Sequence, residues 1–136
     1  VRALWALNRV PAGGRTPAVK AAVQTNVDFL LSYDVARADY PYQERISSSW
    51  FKFGYPLGYV TDALLNLEAL AEAGCGGDPR LDEAIHWVLA KQNERGRWKL
   101  EYAYTGKMWA DIEKKGATSK WVTLRATRVL KGSCGG

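Results

Sequence analysis

Residues 78–98 constrain the fold more than any other stretch. Asp78 offers a side-chain acceptor, and Pro79 follows with its φ preset and no N–H to satisfy, a pairing that starts helices. Apolar residues then recur at a 3.6-residue period. Leu81, Ile85, Val88 and Leu89 share one face, with Asp82, Glu83 and His86 opposite. The pattern closes in Gln92-Asn93-Glu94-Arg95-Gly96-Arg97-Trp98, a Q-x3-G-x-W run that follows Ala84-x-x-Trp87. A short helix with one apolar stripe is not stable alone and must bury that stripe against other elements. Stretches in which β-branched residues alternate with polar ones are absent, so the chain reads as all-α with essentially no sheet.

Five helices are predicted. The first covers Val1–Arg9 and ends before Pro11 and Gly13-Gly14. The second covers Pro17–Ser32, with Thr16 as cap, and the third covers Leu57–Ala73, stopped by Gly74. The fourth is the helix above, Pro79–Lys91. The fifth covers Ser119–Lys131, capped by Thr118 or Ser119 and stopped by Gly132. The second helix carries a stripe of Val23, Val27, Leu30 and Leu31, whereas the third is apolar around most of its circumference and the first is similar. The arrangement expected is an inner layer of the first, third and fifth helices wrapped by the second and fourth. An internal repeat fits this order: Phe29-Leu30-Leu31 matches Trp87-Val88-Leu89 at an offset of 58, and Val60-Thr61 matches Val122-Thr123 at an offset of 62. Two long loops follow the second and fourth helices and should emerge at one end. They hold Tyr33, Tyr40, Tyr42, Trp50, Phe51, Phe53 and Tyr55 in one, and Trp98, Tyr102, Tyr104, Trp109 and Trp121 in or beside the other. Loops able to bury that much aromatic area should be ordered.

The helix ending in Q-x3-G-x-W resembles the QW repeat of the terpenoid cyclase and protein prenyltransferase superfamily, also called the prenyltransferase and squalene oxidase repeat. The resemblance implies an α/α toroid built of antiparallel inner and outer helix pairs. A whole ring takes roughly five or six pairs, each burying its face on its neighbours. Residues 1–136 are therefore expected to be a single domain forming a partial ring. Such a domain would be the C-terminal part of a larger toroid, or a unit that pairs with a second copy or another segment. The start at Val1, with no Met and inside a helical pattern, agrees with a fragment. The resemblance also makes Ala84, Trp87, Gln92, Gly96 and Trp98 structural. It implies that the Gln bonds backbone at a neighbouring helix end and that the Trp stacks on it. Gln92 falls on the face of Leu81, Ile85 and Val88, so a buried, hydrogen-bonded Gln is expected. The first unit departs from the pattern, with Asp34 where the second has Gln92 and no G-x-W after it, and Glu83 replaces a residue that is commonly basic.

Little in the chain points to chemistry. The cyclase D-x-D-D motif is absent, and His86, the only His, lies on the polar face of its helix, which argues against a zinc site or a Ser-His-Asp arrangement. There is no P-loop or dinucleotide fingerprint, so neither a metal nor a cofactor is expected. Cys75 and Cys134 are too few for a disulfide framework, and a reducing, cytoplasmic setting is the default expectation. No apolar run reaches the roughly 18–20 residues of a membrane span. The net charge is +5, and residues 91–131 hold eleven Lys or Arg against four acids. That excess is a solvated basic face or an anion surface. Nucleic acid is not an expected partner, because the aromatic residues of this region adjoin the structural motif.

Two residues break their local pattern. Arg125 lies inside the apolar arc of the fifth helix, where a charge is costly unless paired. It either forms an ion pair with an acid of a neighbouring helix, such as Asp62, or acts with Lys120 as an anion clamp. Asp62, with Asn66 one turn later, either bonds neighbouring backbone or presents a polar group to a lumen. Trp50, Phe53, Tyr55 and Tyr59, with Trp109 from the other loop, either anchor the loops or line a site for an apolar, isoprenoid-like ligand. The functional expectation is a non-catalytic binding or scaffold module. The alternative is part of a cyclase- or prenyltransferase-type enzyme whose catalytic acids lie outside this chain.

Overall fold

A computed structural model describes residues 1–41 and 45–134. Tyr42, one of the loop aromatics named above, lies outside the described residues. Among them are five α-helices: α1 (Arg2–Leu7), α2 (Pro17–Leu31), α3 (Ala63–Glu72), α4 (Asp82–Ala90) and α5 (Lys120–Ser133). The class is all-α, as the periodicity requires. One small ladder was not anticipated. Strands β1 (Trp98–Lys99) and β2 (Thr118–Ser119) pair antiparallel, with Trp98 opposite Ser119.

The helix starts follow local chemistry. Thr16 Oγ1 accepts from Val19 N with Pro17 at the first position, and Ser119 Oγ accepts from Val122 N. Asp78 Oδ1 accepts from Arg80 N, but Pro79–Leu81 forms a 3-10 turn and the α-helix begins only at Asp82. The largest difference is at α3. The expected Leu57–Ala73 helix begins at Ala63, because Asp62 is its N-cap and accepts from Leu65 N at 2.8 Å. The apolar residues before it belong to the loop. With Asp62 and Ser119 as equivalent caps, the two units are offset by 57 residues, and the Val60–Val122 correspondence at 62 has no structural counterpart. At its far end α5 continues through Gly132 to Ser133. Gly132 stops nothing there. It lets α5 approach α3, since a Cβ on it would sit 2.7 Å from Ala71 Cβ.

The helices pack as α2 on α1, α1 on α3, and α3 on α5, so α1, α3 and α5 form a contiguous row. Eight residues of α3, from Ala63 to Leu70, are buried, which makes it the centre of the core. The other members of the proposed inner layer are not alike. Helix α1 buries only Leu4, and α5 buries one face through Val122, Arg125, Ala126 and Val129. The α2 stripe is buried at Val27, Leu30 and Leu31. On α4 the buried positions are Ala84 and Val88, with Leu81 just before them, while Leu89 is exposed.

The two long loops pair with each other. Phe53 O accepts from the amides of Glu101 and Tyr102, Tyr55 N donates to Tyr102 O, and Phe53 N donates to Glu101 Oε2. Val60 N donates to the Tyr104 hydroxyl at 2.8 Å, and the Tyr104 ring lies so close to Gly58 that a Cβ there would meet it at 2.7 Å.

Candidate functional site

The most connected polar group in the core is Arg125. Its Nη1 and Nη2 each lie 2.9 Å from an oxygen of Asp62, its Nε is 2.7 Å from Glu68 Oε2, and Nη1 also donates to Gly54 O at 2.7 Å. All three side chains are buried. Burial would loosen the Arg125 proton, but the hydrogen bonds and negative charges of Asp62 and Glu68 together outweigh it and hold the guanidinium above its ordinary pKa. Burial pushes the Glu68 carboxyl above the usual carboxylate range, against the pull of Arg125. Asp62 also accepts from Gly54 N and Leu65 N, and Asn66 Nδ2 donates to Asp62 O. The ion-pair reading of Arg125 is therefore the observed one. The group clamps the α3 N-terminus, α5 and the first long loop, and its donors point at protein acceptors. Lys120 takes no part. It is exposed, with its ammonium 5.6 Å from the Trp121 ring centroid.

Beside this group, a cleft of about 230 Å³ opens between α1, α3 and α5. Its apolar walls are Trp5, Tyr55, Leu57, Trp121 and Leu124. Tyr55 and Trp121 stack with centroids 4.9 Å apart and planes 9° from parallel. Trp5 and Leu124 are 40% and 41% exposed, which leaves part of this apolar wall to solvent. The carboxylates at its edge are engaged: Glu68 with Arg125, and Glu72 with Arg9 at 2.9 Å. A second cleft of about 520 Å³ continues along the C-terminal ends of α3 and α5, sharing Glu68, Glu72 and Arg128 and ending at Lys131.

The remaining aromatic candidates do not converge on that cleft. Phe53 is buried against Trp87, with centroids 4.9 Å apart, and Lys91 Nζ lies 4.7 Å from Phe53 and 4.5 Å from Trp87. Lys91 also bonds both oxygens of Glu101 and the Phe51 carbonyl, so it ties the end of α4 to both loops. Trp50 donates to Val35 O and packs on Tyr40, which anchors the first loop on α2. Burial among these rings, with Asp39 and Asp34 nearby, raises the Tyr40 phenol. Tyr59 and Trp109 are 94% and 107% exposed and belong to neither group. Of the proposed ligand residues, the structure brings Tyr55, Asp62 and Arg125 together, with Lys120 near Trp121. Trp50, Phe53, Tyr59 and Trp109 lie elsewhere.

The Q-x3-G-x-W segment is structural in part. Trp98 is buried, and its Nε1 donates to Val88 O at 2.7 Å. Ala84 is buried, Trp87 packs on the first loop, and Gly96 takes φ +72° in the turn after α4, a conformation that favours glycine. Gln92 differs from expectation. It is exposed and lies past the helix end, because α4 stops at Ala90. Its expected part in the turn falls to Asn93, whose Oδ1 accepts from the amides of Arg95 and Arg97.

Sequence reasoning missed Glu68, Lys91, Asn93 and Tyr104. A signal existed for Glu68, since an acid in a nearly all-apolar helix needs a cation and Arg125 was already conspicuous. For Lys91 and Tyr104 none did, as their partners lie 10 and 44 residues away on loops. Among the described residues no three His, Cys, Asp or Glu stand together as a metal site, and no helix is long and apolar enough to cross a membrane. No protein-family model, curated protein or solved structure matches the chain.

Proposed function

We propose that the chain is part of an α/α toroid of the prenyltransferase and squalene oxidase repeat type. In this reading it is a non-catalytic binding or scaffold module that holds an apolar, isoprenoid-like ligand against α1, α3 and α5. The contiguous row of α1, α3 and α5 supports the toroid, since these are the helices an inner layer would contain. The observation that carries the binding reading is the cleft itself. Its walls join aromatic and aliphatic side chains to Arg9, Arg125 and Arg128, and each carboxylate that lines it is bonded to an arginine, so it offers apolar contact without a free acid.

Fluorescence titration with farnesol, an isoprenoid alcohol, tests this directly. Saturable quenching is expected, and Tyr55→Ala or Trp121→Ala should weaken binding by roughly tenfold, the scale of losing one buried aromatic contact. Quenching that does not saturate, or that neither variant alters, would sink the binding reading. The second reading, part of a cyclase- or prenyltransferase-type enzyme, needs acids from sequence outside residues 1–136. It would be favoured if the full gene product converted an isoprenoid substrate while this chain only bound it.

A further inference from the structure

We propose that the tip of the loop between β1 and β2, together with Tyr59, is a membrane-contacting surface that seats on an anionic lipid bilayer. The loop is held firmly at its base and open at its tip. Leu100 N donates to Ala117 O and Gly116 N donates to Leu100 O, directly beyond the β1–β2 ladder. Between these pins the chain runs out through Lys107, Trp109, Ile112, Lys114 and Lys115, all exposed. Trp109 makes no use of the protein interior, and Ile112 is exposed as well. Tyr59 belongs to the same end of the molecule, because Tyr104 joins the two loops: its hydroxyl accepts from Val60 N, its ring abuts Gly58, and its carbonyl accepts from Lys107 N.

The chemistry of this tip fits a lipid interface. Tryptophan and tyrosine favour the headgroup level of a bilayer, where an apolar ring and a polar edge are both satisfied. The charge follows the same logic. Glu113 is half-buried and turned inward, accepting from Ser119 Oγ and from Lys120 N at the start of α5. That leaves Lys107, Lys114 and Lys115 facing solvent against Asp111 alone. Lysines beside inserted aromatics add electrostatic attraction to acidic headgroups. A protein partner would need a shaped face. These rings instead stand on two separate turns, an arrangement that a fluid surface accommodates without matching contours. The inference is independent of the cleft, so Trp121→Ala should leave it unaltered.

Cosedimentation with phosphatidylcholine vesicles, with and without phosphatidylserine, tests it. The chain should pellet with the anionic vesicles and stay in solution with the neutral ones. Trp109→Ala should abolish most of the binding. Lys114→Glu and Lys115→Glu should each lower partitioning about fivefold or more, and added salt should act in the same direction. Brominated acyl chains should quench wild-type tryptophan emission and fail to quench Trp109→Phe. These exposed positions should leave Tm unchanged, so lost binding cannot be ascribed to unfolding. Absence of binding to anionic vesicles, or binding indifferent to both Trp109 and the lysines, would overturn the proposal. So would a dimer in light scattering that Trp109→Ala converts to monomer without any vesicle binding, because the tip would then be a contact between copies.

Discussion

Arg125 holds a position that would ordinarily be apolar, and its two acids are not equivalent. Asp62 meets it with both oxygens and also caps α3, whereas Glu68 contributes one oxygen. Asp62→Asn should therefore cost about 3–5 kcal/mol, because it strips the better partner from a buried cation. Glu68→Gln should cost only about 1 kcal/mol, since Arg125 stays neutralised by Asp62. Urea denaturation of the two variants checks the order. The pH dependence follows from the raised Glu68 carboxyl. A folded-state value above the unfolded one contributes stability that is full below the unfolded value and is lost as pH rises through the folded one. The wild type should thus gain on Glu68→Gln as pH falls from neutral into the ordinary carboxylate range, and a gap independent of pH would contradict this. Asp78 works in the opposite sense. Its bonds to Arg80 lower it to about 2, so its contribution is present above the ordinary carboxylate range and fades as pH falls toward that value.

At the scale of the elements, the segment that closes α4 divides into a buried half and an exposed half. Trp98→Ala should destabilise by about 3–5 kcal/mol, because a buried indole and its bond to Val88 O are both lost. Gln92→Ala should change stability by no more than about 0.5 kcal/mol. Thermal melts of the pair distinguish this from the expectation of a buried glutamine, which would make both substitutions costly. The helices themselves were legible in the sequence because caps and period agree, as at Thr16-Pro17 with the Val27, Leu30, Leu31 stripe. The start of α3 was not. Leu57 and Val60 extend the apolar pattern upstream, but Asp62 satisfies the Leu65 amide, and its tie to Arg125 fixes the cap there. Periodicity is blind to such a tie, which depends on a residue 63 positions away.

Across the whole molecule, the two long loops act as one layer. Glu101 is central to this, accepting from Phe53 N and from Lys91. Glu101→Gln should cost about 1–2 kcal/mol, the scale of a partly exposed charged hydrogen bond. Faster hydrogen exchange at the Phe53 and Tyr102 amides should accompany it, and unchanged exchange would show that the loops are held elsewhere. The aromatic content of the loops pointed to buried apolar area in them, and Phe53 and Trp98 supply it. It could not say which rings face the core, because Phe53 and Tyr59 are alike in sequence terms and opposite in exposure. That is why only three of the eight candidate ligand residues, Tyr55, Asp62 and Arg125, come together: a cleft is made by which side chains the fold leaves uncovered. The unbroken burial of α3 from Ala63 to Leu70 has a further consequence. Nearly every side chain there has a neighbour that fixes its size, so α3 should be the stretch least tolerant of sequence drift. Helix α1, with Leu4 as its one buried residue, should accept many more replacements, except at Trp5 in the cleft wall and at Arg2, which bonds the carbonyls of Gly58 and Tyr59.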